Sequence, residues 1–224
     1  MSVTLILVRH GETAWNRERR VQGHLDVPLN DEGMRQARAT AERLATDAAR
    51  YGLTPVPGVA EPAIVASDLA RAWQTAQAIA QATGLPLAPP EPRLRERAYG
   101  DFEGLCYEDI HRDRGAEFAR WVSRDLDFNV AGGESLRAFF DRSAQVLTEL
   151  AQSARGTLVV VTHGGVLDCA YRMATGMPLE QPRTHELLNA SLNRIRWDGR
   201  RFLLVDWGDV SHWRPALDDT TDAA

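Results

Sequence analysis

The sequence predicts an α/β protein with three layers, in which helices cover both faces of a mostly parallel sheet. Two continuous apolar runs, 5–8 and 157–162, are typical of strands buried on both faces, and each leads into a histidine followed by a glycine. A third apolar run, 63–66, is shorter. Segments with helical periodicity separate these runs, and this alternation indicates a parallel sheet between two helical layers.

Helical patterns follow the predicted strands. They cover, in chain order, about residues 13–20, residues 31–50, a segment that starts after Ser67 or Asp68, residues 135–151 and residues 166–175. Asn30 or Asp31 is the predicted N-cap of the second helix, and Ser67 or Asp68 that of the third, because short polar side chains accept hydrogen bonds from free N–H groups there. Residues 52–62 are rich in proline and glycine and predict a surface connection.

Two further strand signals complete the predicted sheet. Residues 85–88 form a short candidate strand between prolines. Residues 192–197 and 202–207 flank Asp198-Gly199, which predicts a C-terminal antiparallel hairpin. The acidic tail, 218–224, is expected to fray.

The strand pattern disappears between about residues 97 and 133, where polar residues alternate with aromatic ones. We interpret this region as a mainly helical cap inserted into a single domain of residues 1–224. Long excursions without strands are usually functional, so we expect it to cover a substrate crevice. A peripheral helical decoration is the alternative.

Composition excludes several classes of function. The net charge of −5 argues against a nucleic-acid-binding surface, and no apolar run is long enough to span a membrane. The N-terminus has no signal-peptide pattern, so a cytoplasmic protein is expected. Cys106 and Cys169 lie far apart without metal-ligand spacing, which argues against a disulfide framework and a structural zinc. A small phosphorylated metabolite remains compatible, because an acidic protein can still focus positive charge inside a cleft.

Charged and nucleophilic side chains follow the predicted strands. Arg9 and His10 end the first strand, Arg71 lies in the helix after the second, His163 ends the longest strand, and Glu96 stands at the root of the insertion. Because ligand-binding groups gather at the carboxyl ends of parallel strands, we expect these five to meet at one edge of the sheet. Each residue taken alone has an alternative, purely structural interpretation. His163 could be a hydrogen-bonded core histidine, Arg71 an exposed helix residue, and Glu96 a partner of Arg95 or Arg97.

Together these residue types predict phosphoryl transfer. Guanidinium groups match phosphate oxygens and keep their charge, and the helix that begins near Gly164 adds backbone donors. A neutral imidazole is a competent nucleophile, a role that suits His10. A carboxylic acid beside the leaving oxygen can supply its proton, and Glu96 is the candidate.

The chain resembles the histidine phosphatase superfamily, also called phosphoglycerate mutase-like. The motifs that carry the resemblance are Arg9-His10-Gly11-Glu12-Thr13 with Asn16, the stretch 67–76, Leu94-Arg95-Glu96, and Thr162-His163-Gly164-Gly165. The resemblance implies a phosphohistidine at His10, no metal or other cofactor, and a phosphate pocket of Arg9, Arg71 and His163. It also implies that Asn16, Gln22 and Gly23 line that pocket.

The main division within this family is between phosphatases, which give the phosphoryl group to water, and mutases, which return it to a sugar acid. The segment from Glu96 to Gly100, with Arg97 and Tyr99 as substrate contacts, is similar to the mutase pattern. Residues 22–30 and 100–105 look like the phosphatase branch, and Tyr107 stands where cofactor-dependent mutases carry a lysine. We therefore predict a metal-independent phosphatase of a sugar phosphate or a phosphorylated acid. A phosphoglycerate mutase and a noncatalytic phosphate-ligand binder are the alternatives, and the oligomeric state stays open, a homodimer included.

Overall fold

A five-stranded sheet forms the centre of the molecule in the computed structural model, which describes residues 2–54 and 63–213. The strands follow the order β2-β3-β1-β4-β5 across the sheet. β3 pairs in parallel with both β1 and β2, whereas β4 is antiparallel to β1 and to β5. The strands are β1 (Val3–Arg9), β2 (Ala63–Ala66), β3 (Thr157–Thr162), β4 (Leu192–Trp197) and β5 (Phe202–Asp209). The predicted parallel core with a C-terminal antiparallel hairpin is confirmed.

Helices cover both faces of this sheet. They are α1 (Ala14–Arg17), α2 (Asp31–Thr46), α3 (Ala48–Tyr51), α4 (Ala70–Thr83), α5 (Tyr107–Asp113), α6 (Gly115–Val122), α7 (Leu136–Ser153) and α8 (Gly164–Thr175). Alternate residues of β1 point to opposite sides: Leu5 and Leu7 pack in a cluster with α7 and α8, while Ile6 and Val8 pack in a cluster with α2 and α4. This alternation produces the predicted three layers.

Several element boundaries differ from the predicted ones. The first helix is shorter than 13–20, because Arg19 adopts a left-handed conformation (φ 54°). The second begins after the N-cap Asn30, whose side chain accepts from Gly33 N, but it ends at Thr46 rather than near Arg50. Its end coincides with non-helical dihedral angles at Asp47 (φ −99°, ψ 27°). The helix after β3 begins at 164 instead of 166.

The predicted caps of α4 are wrong. Neither Ser67 nor Asp68 is its N-cap, which is Leu69 and has no side-chain acceptor of its own. Asp26, from a distant loop, accepts a hydrogen bond from Ala70 N at 2.7 Å. Asp68 instead binds the Arg95 guanidinium (Nε–Oδ1 2.8 Å).

The candidate strand at 85–88 is reduced to a single parallel bridge between Leu87 and Ile64. The end of the predicted connection 52–62, from residue 55 onward, and the tail 218–224 lie outside the described residues.

The insertion contains its own small core. α5 and α6 are joined to the rest of the chain by a 3-10 turn, Gly100–Phe102, and by an irregular segment that leads to α7. This core is formed by Phe102, Ile110, Phe128 and Val130 of the insertion together with Val21. Val21 lies in the loop after α1, so the insertion packs against the region that follows β1. Within residues 2–54 and 63–213, no helix combines the length and the apolar character that crossing a bilayer requires.

The N-terminal turn of α2 packs against the loop after β1 without intervening side chains. A Cβ on Gly11 would lie 2.4 Å from Gly33 O, and one on Gly33 would lie 2.0 Å from Glu12 O. Two glycines are therefore required for the loop that carries His10 to lie on α2.

We expect Gly33→Ala to destabilise the protein, although alanine is favoured over glycine within helices. The new methyl group would force α2 and the loop apart, with a loss of about 1–3 kcal/mol in the free energy of unfolding. Urea unfolding followed by circular dichroism measures this loss. Gly115→Ala is the control, because a Cβ there meets no described atom within 4 Å. Equal unfolding midpoints for the two variants would contradict the close approach.

Candidate active site

Two histidines meet at the carboxyl ends of the neighbouring strands β1 and β3. Arg9 pairs with Thr162 in the strand register, so His10 and His163 follow at the same level of the sheet. Their ring centroids are 5.2 Å apart, and both side chains are buried. The two apolar runs of the sequence thus lead to one site.

The imidazole of His10 is held in one tautomer. Its Nδ1 lies 2.7 Å from Gly11 O, and because a carbonyl oxygen can only accept, Nδ1 carries the proton. Nε2 then carries the lone pair. The pKa of His10 is well below its ordinary value of 6.5, mainly because the ring is buried and further because Arg71 and Arg9 carry positive charges nearby. The ring is therefore neutral near pH 7, as a nucleophile must be.

Two arginines lie beside this ring. Arg71, in the first turn of α4, is 1% exposed, which excludes the reading of an exposed helix arginine. Its guanidinium donates to Gly23 O at 2.8 Å and to Leu25 O at 3.0 Å. Arg9 is partly buried and donates from Nη1 to Leu187 O. Burial lowers the pKa of Arg71 to about 10 and also lowers that of Arg9, and Arg71 stays charged at pH 7.

Three buried nitrogens of the site residues have no hydrogen-bond partner in the described structure. Arg9 Nε, Arg71 Nε and His163 Nδ1 have no acceptor among the described residues. The other ring nitrogen of His163, Nε2, is 2.8 Å from Ser67 Oγ, which itself accepts from Leu69 N. With the Ser67 hydroxyl donating to Nε2, Nδ1 carries the proton and is a donor. Burial, and next the charge of Arg71, hold the pKa of His163 well below 6.5. Buried unpaired donors are rare, and an anion with several acceptor oxygens is the ligand that would satisfy them together.

Glu96 is held by backbone N–H groups. Its Oε2 accepts from Gly165 N at 3.0 Å, at the N-terminus of α8, and its Oε1 accepts from Arg97 N at 2.9 Å. The carboxylate forms no ion pair with Arg95 or Arg97 in the described part of the chain. Its own carbonyl oxygen lies 2.9 Å from His24 Nε2 and accepts from Arg142 at 3.2 Å, so the backbone that carries the carboxylate is fixed as well.

The predicted pocket residues of the loop after β1 are linked by hydrogen bonds. Thr13 Oγ1 donates to Gln22 Oε1 at 3.0 Å, and Asn16 Oδ1 accepts from Thr13 N at 3.0 Å within a capping box. Gly23 has a positive φ of 53°, and its carbonyl receives Arg71. The structure therefore brings Gly23 into direct contact with Arg71.

The other predicted substrate contacts lie along a cavity of about 660 Å³. Tyr99 and Gly164 line it, together with Arg9 and Glu96. Arg97 lines it too, but its guanidinium donates to Glu134 O at 2.9 Å and to Phe128 O at 3.1 Å. Its donors are thus used in part to hold the insertion.

Sequence reasoning did not predict the contacts that three residues make in the site, although Ser67 and Gly165 belong to the motifs quoted above. Ser67 holds His163, Asn189 Nδ2 donates to His10 O at 3.0 Å, and Gly165 leaves room for Glu96. A Cβ on Gly165 would lie 2.1 Å from Glu96 Oε1 and 2.9 Å from the Phe139 ring. The second glycine after a strand-end histidine was a signal for this close approach. Asn189 had no local signal.

The fold is of the α/β class, and its site places two buried histidines, two arginines and a glutamate at one edge of the sheet. No cluster of three or more histidine, cysteine, aspartate or glutamate side chains suited to a metal ion occurs in the described ranges. The chain matches the histidine phosphatase superfamily (branch 1) over residues 5–210 and belongs to that family.

Its relatives include both phosphatases and mutase-like proteins. Phosphoglycerate mutase-like protein 4 of Arabidopsis thaliana is 38% identical over 93% of this chain and 86% of that protein. Metal-independent phosphoserine phosphatase of the same plant is 36% identical over 93% of this chain and 82% of that protein. A mycobacterial glucosyl-3-phosphoglycerate phosphatase with VO3 has a similar structure, with a TM-score of 0.74 and 31% identity over 92% of this chain and 98% of that one.

We expect Gly165→Ala to lower kcat strongly while the protein stays folded. The methyl group would displace the Glu96 carboxylate or the Phe139 ring, and a misplacement of about 1 Å can cost on the order of 100-fold in rate. Steady-state kinetics and thermal unfolding measure the two effects, with Gly115→Ala as the control outside the site. A kcat equal to that of the unmodified protein would show that Glu96 does not need this position.

We expect both site histidines to titrate below pH 6.5. Their folded-state pKa values are lowered, so the unfolded chain takes up protons first, and stability present above pH 6.5 is lost as the pH falls toward the folded-state values. Inorganic phosphate should raise both pKa values, because a bound anion favours the charged imidazole. Ring ¹⁵N chemical shifts across pH, with and without phosphate, measure this. Titration of either ring at 6.5 or above in the phosphate-free protein would contradict the prediction.

Proposed function

We propose that the chain hydrolyses a small phosphorylated metabolite, without a metal ion, through a phosphohistidine at His10. The observation that supports this most directly is the neutral His10 ring beside the unpartnered nitrogens of Arg9, Arg71 and His163. Such donors stabilise the charge on the phosphoryl oxygens during transfer. A cytoplasmic enzyme without a nucleic-acid or membrane partner is part of the proposal.

The reaction proceeds in two displacements. His10 Nε2 attacks phosphorus, the ester P–O bond breaks, and protonated Glu96 gives its proton to the leaving oxygen. The Gly11 carbonyl, which accepts from Nδ1, stabilises the positive charge that develops on the ring. Water then attacks the phosphohistidine, its proton passes to the Glu96 carboxylate, and the N–P bond breaks. Inorganic phosphate leaves, and both residues return to their initial states.

A phosphoglycerate mutase is the second candidate, and it has support in the mutase-like relative that is 38% identical. A mutase must keep its phosphorylated intermediate from water and bind a second phosphoryl group, which requires additional fixed positive charge. Arg97, the residue of the mutase pattern, is engaged with two backbone carbonyls. This contact favours the phosphatase.

One assay separates the candidates. The protein is incubated with 3-phosphoglycerate, with and without 2,3-bisphosphoglycerate, and inorganic phosphate and 2-phosphoglycerate are followed. Parallel reactions contain phosphoserine and p-nitrophenyl phosphate. We expect phosphate release that does not depend on the bisphosphate. Cofactor-dependent formation of 2-phosphoglycerate with negligible phosphate release would favour the mutase.

His10→Ala should abolish turnover, with a loss of at least about 1,000-fold, and leave folding nearly intact, because the substitution removes the nucleophile and no large apolar group. Acid-labile phosphate on the unmodified protein, trapped by rapid quenching and absent from His10→Ala, would identify the intermediate. Phosphate binding by a fully inactive unmodified protein would favour the noncatalytic alternative.

A further inference from the structure

Arg183 lines the cavity of about 660 Å³ beside the site, which would hold the leaving group in the proposed reaction. It belongs to the segment 182–188 between α8 and β4, which contributes several side chains to the cavity lining. Tyr99 and Tyr107 of the insertion line the same cavity. Arg9 donates a hydrogen bond to Leu187 O, so an arginine of the phosphate site also holds the segment that carries Arg183.

The other two arginines that line the cavity away from the phosphate site already have partners. Arg97 donates to two backbone carbonyls, and Arg124 donates to Asp168 Oδ2 at 2.9 Å and to Leu179 O at 2.6 Å. Arg183 forms neither a hydrogen bond nor an ion pair within residues 2–54 and 63–213. Its guanidinium is therefore available to a ligand.

Arg183 is exposed, and its charge contributes to the pKa shifts of two residues that line the cavity. Burial is the main cause of the lowered pKa of Arg9, and the positive charge of Arg183 lowers that pKa further. Burial raises the pKa of Tyr99 well above 10, and Arg183 opposes this shift. Both effects are consistent with a guanidinium close to the phosphate site and to the insertion.

None of the carboxylates that line the cavity forms an ion pair with Arg183 in the described part of the chain. Glu96 is held by backbone N–H groups, and Asp168 binds Arg124 and Arg172. Glu186 also lines the cavity, but within the described structure it forms no ion pair with Arg183.

We propose that Arg183 binds a carboxylate on the leaving group, so that the enzyme selects phosphorylated carboxylic acids over phosphomonoesters with neutral leaving groups. The inference rests on the proposed function, because Glu96 at the leaving oxygen directs the leaving group past it into the cavity. A guanidinium matches a carboxylate with two parallel hydrogen bonds.

A matched pair of ligands tests this selection. 3-Phosphoglycerate and glycerol 3-phosphate share a three-carbon skeleton. The first carries a carboxylate where the second carries a hydroxymethyl group. Their dissociation constants are measured by calorimetry in the His10→Ala background, where no turnover is expected, and their kcat/KM values are measured with His10 intact. With Arg183 present, 3-phosphoglycerate should bind about 10-fold to 100-fold more tightly, as a charge-assisted pair requires.

Substitution of the arginine should remove this preference. Arg183→Gln should raise the dissociation constant of 3-phosphoglycerate about 10-fold or more and change that of glycerol 3-phosphate by less than about 2-fold. Arg183→Lys should recover part of the lost affinity for 3-phosphoglycerate. The control is Arg155→Gln, which replaces an exposed arginine just before β3, at the end of the sheet opposite the site. It should leave the dissociation constants of both ligands unchanged.

The outcomes of the two proposals are distinguishable. Equal affinity for both ligands with Arg183 present, or an unchanged ratio in Arg183→Gln, overturns the role of Arg183 whatever the reaction is. Turnover by His10→Ala at the rate of the unmodified protein overturns the phosphohistidine mechanism, and the ratio of dissociation constants still decides the role of Arg183.

Discussion

Buried nitrogens that lack acceptors are the constraint on which this structure depends. Arg9, Arg71 and His163 each leave one such nitrogen at the carboxyl edge of the sheet. Leaving a buried donor unsatisfied costs about 1–3 kcal/mol, and the two guanidinium charges repel each other as well. A phosphoryl group would relieve these costs at once, so the same features that destabilise the free site favour phosphate binding. The rest of the fold must supply the stability that the site lacks.

The scaffold holds the cationic groups with backbone carbonyls instead of carboxylates. Gly23 and Leu25 accept from Arg71, and Leu187 accepts from Arg9. A carbonyl fixes the direction of a guanidinium without cancelling its charge, whereas a carboxylate would compete with the phosphate for it. Glu96 follows the complementary rule, since backbone N–H groups orient its carboxylate and no arginine forms an ion pair with it in the described part of the chain. Each group is positioned by a partner that leaves its chemistry free.

The sequence was most informative where local patterns determine structure. Continuous apolar runs predicted the parallel core, and the residues that end them predicted that Arg9, His10 and His163 meet. The cap of α4 could not be predicted in this way, because its acceptor is Asp26, 44 positions earlier in the chain. The same is true of Asn189, which reaches His10 across 179 positions. The engagement of Arg97 depends on where the insertion folds back, and that is a tertiary property.

In the proposed function, Arg9 connects the recognition of the phosphate to the recognition of the leaving group. Its Nε belongs to the unpartnered set around His10, while its Nη1 holds Leu187 and thereby the segment that carries Arg183. A phosphoryl oxygen that accepted from Nε would fix the plane of the guanidinium, and the bond to Leu187 O would then fix the segment relative to that plane. The insertion approaches from the other side with Tyr99, whose backbone N donates to Glu103 at 2.9 Å. Because that carboxylate also accepts from His24 N at 3.0 Å, it ties the insertion to the loop after β1. The cavity is therefore bounded by two segments, one tied by a hydrogen bond to Arg9 and the other to the loop after β1. In the proposed function, residues such as Arg183 can therefore change the specificity without changing the chemistry at His10.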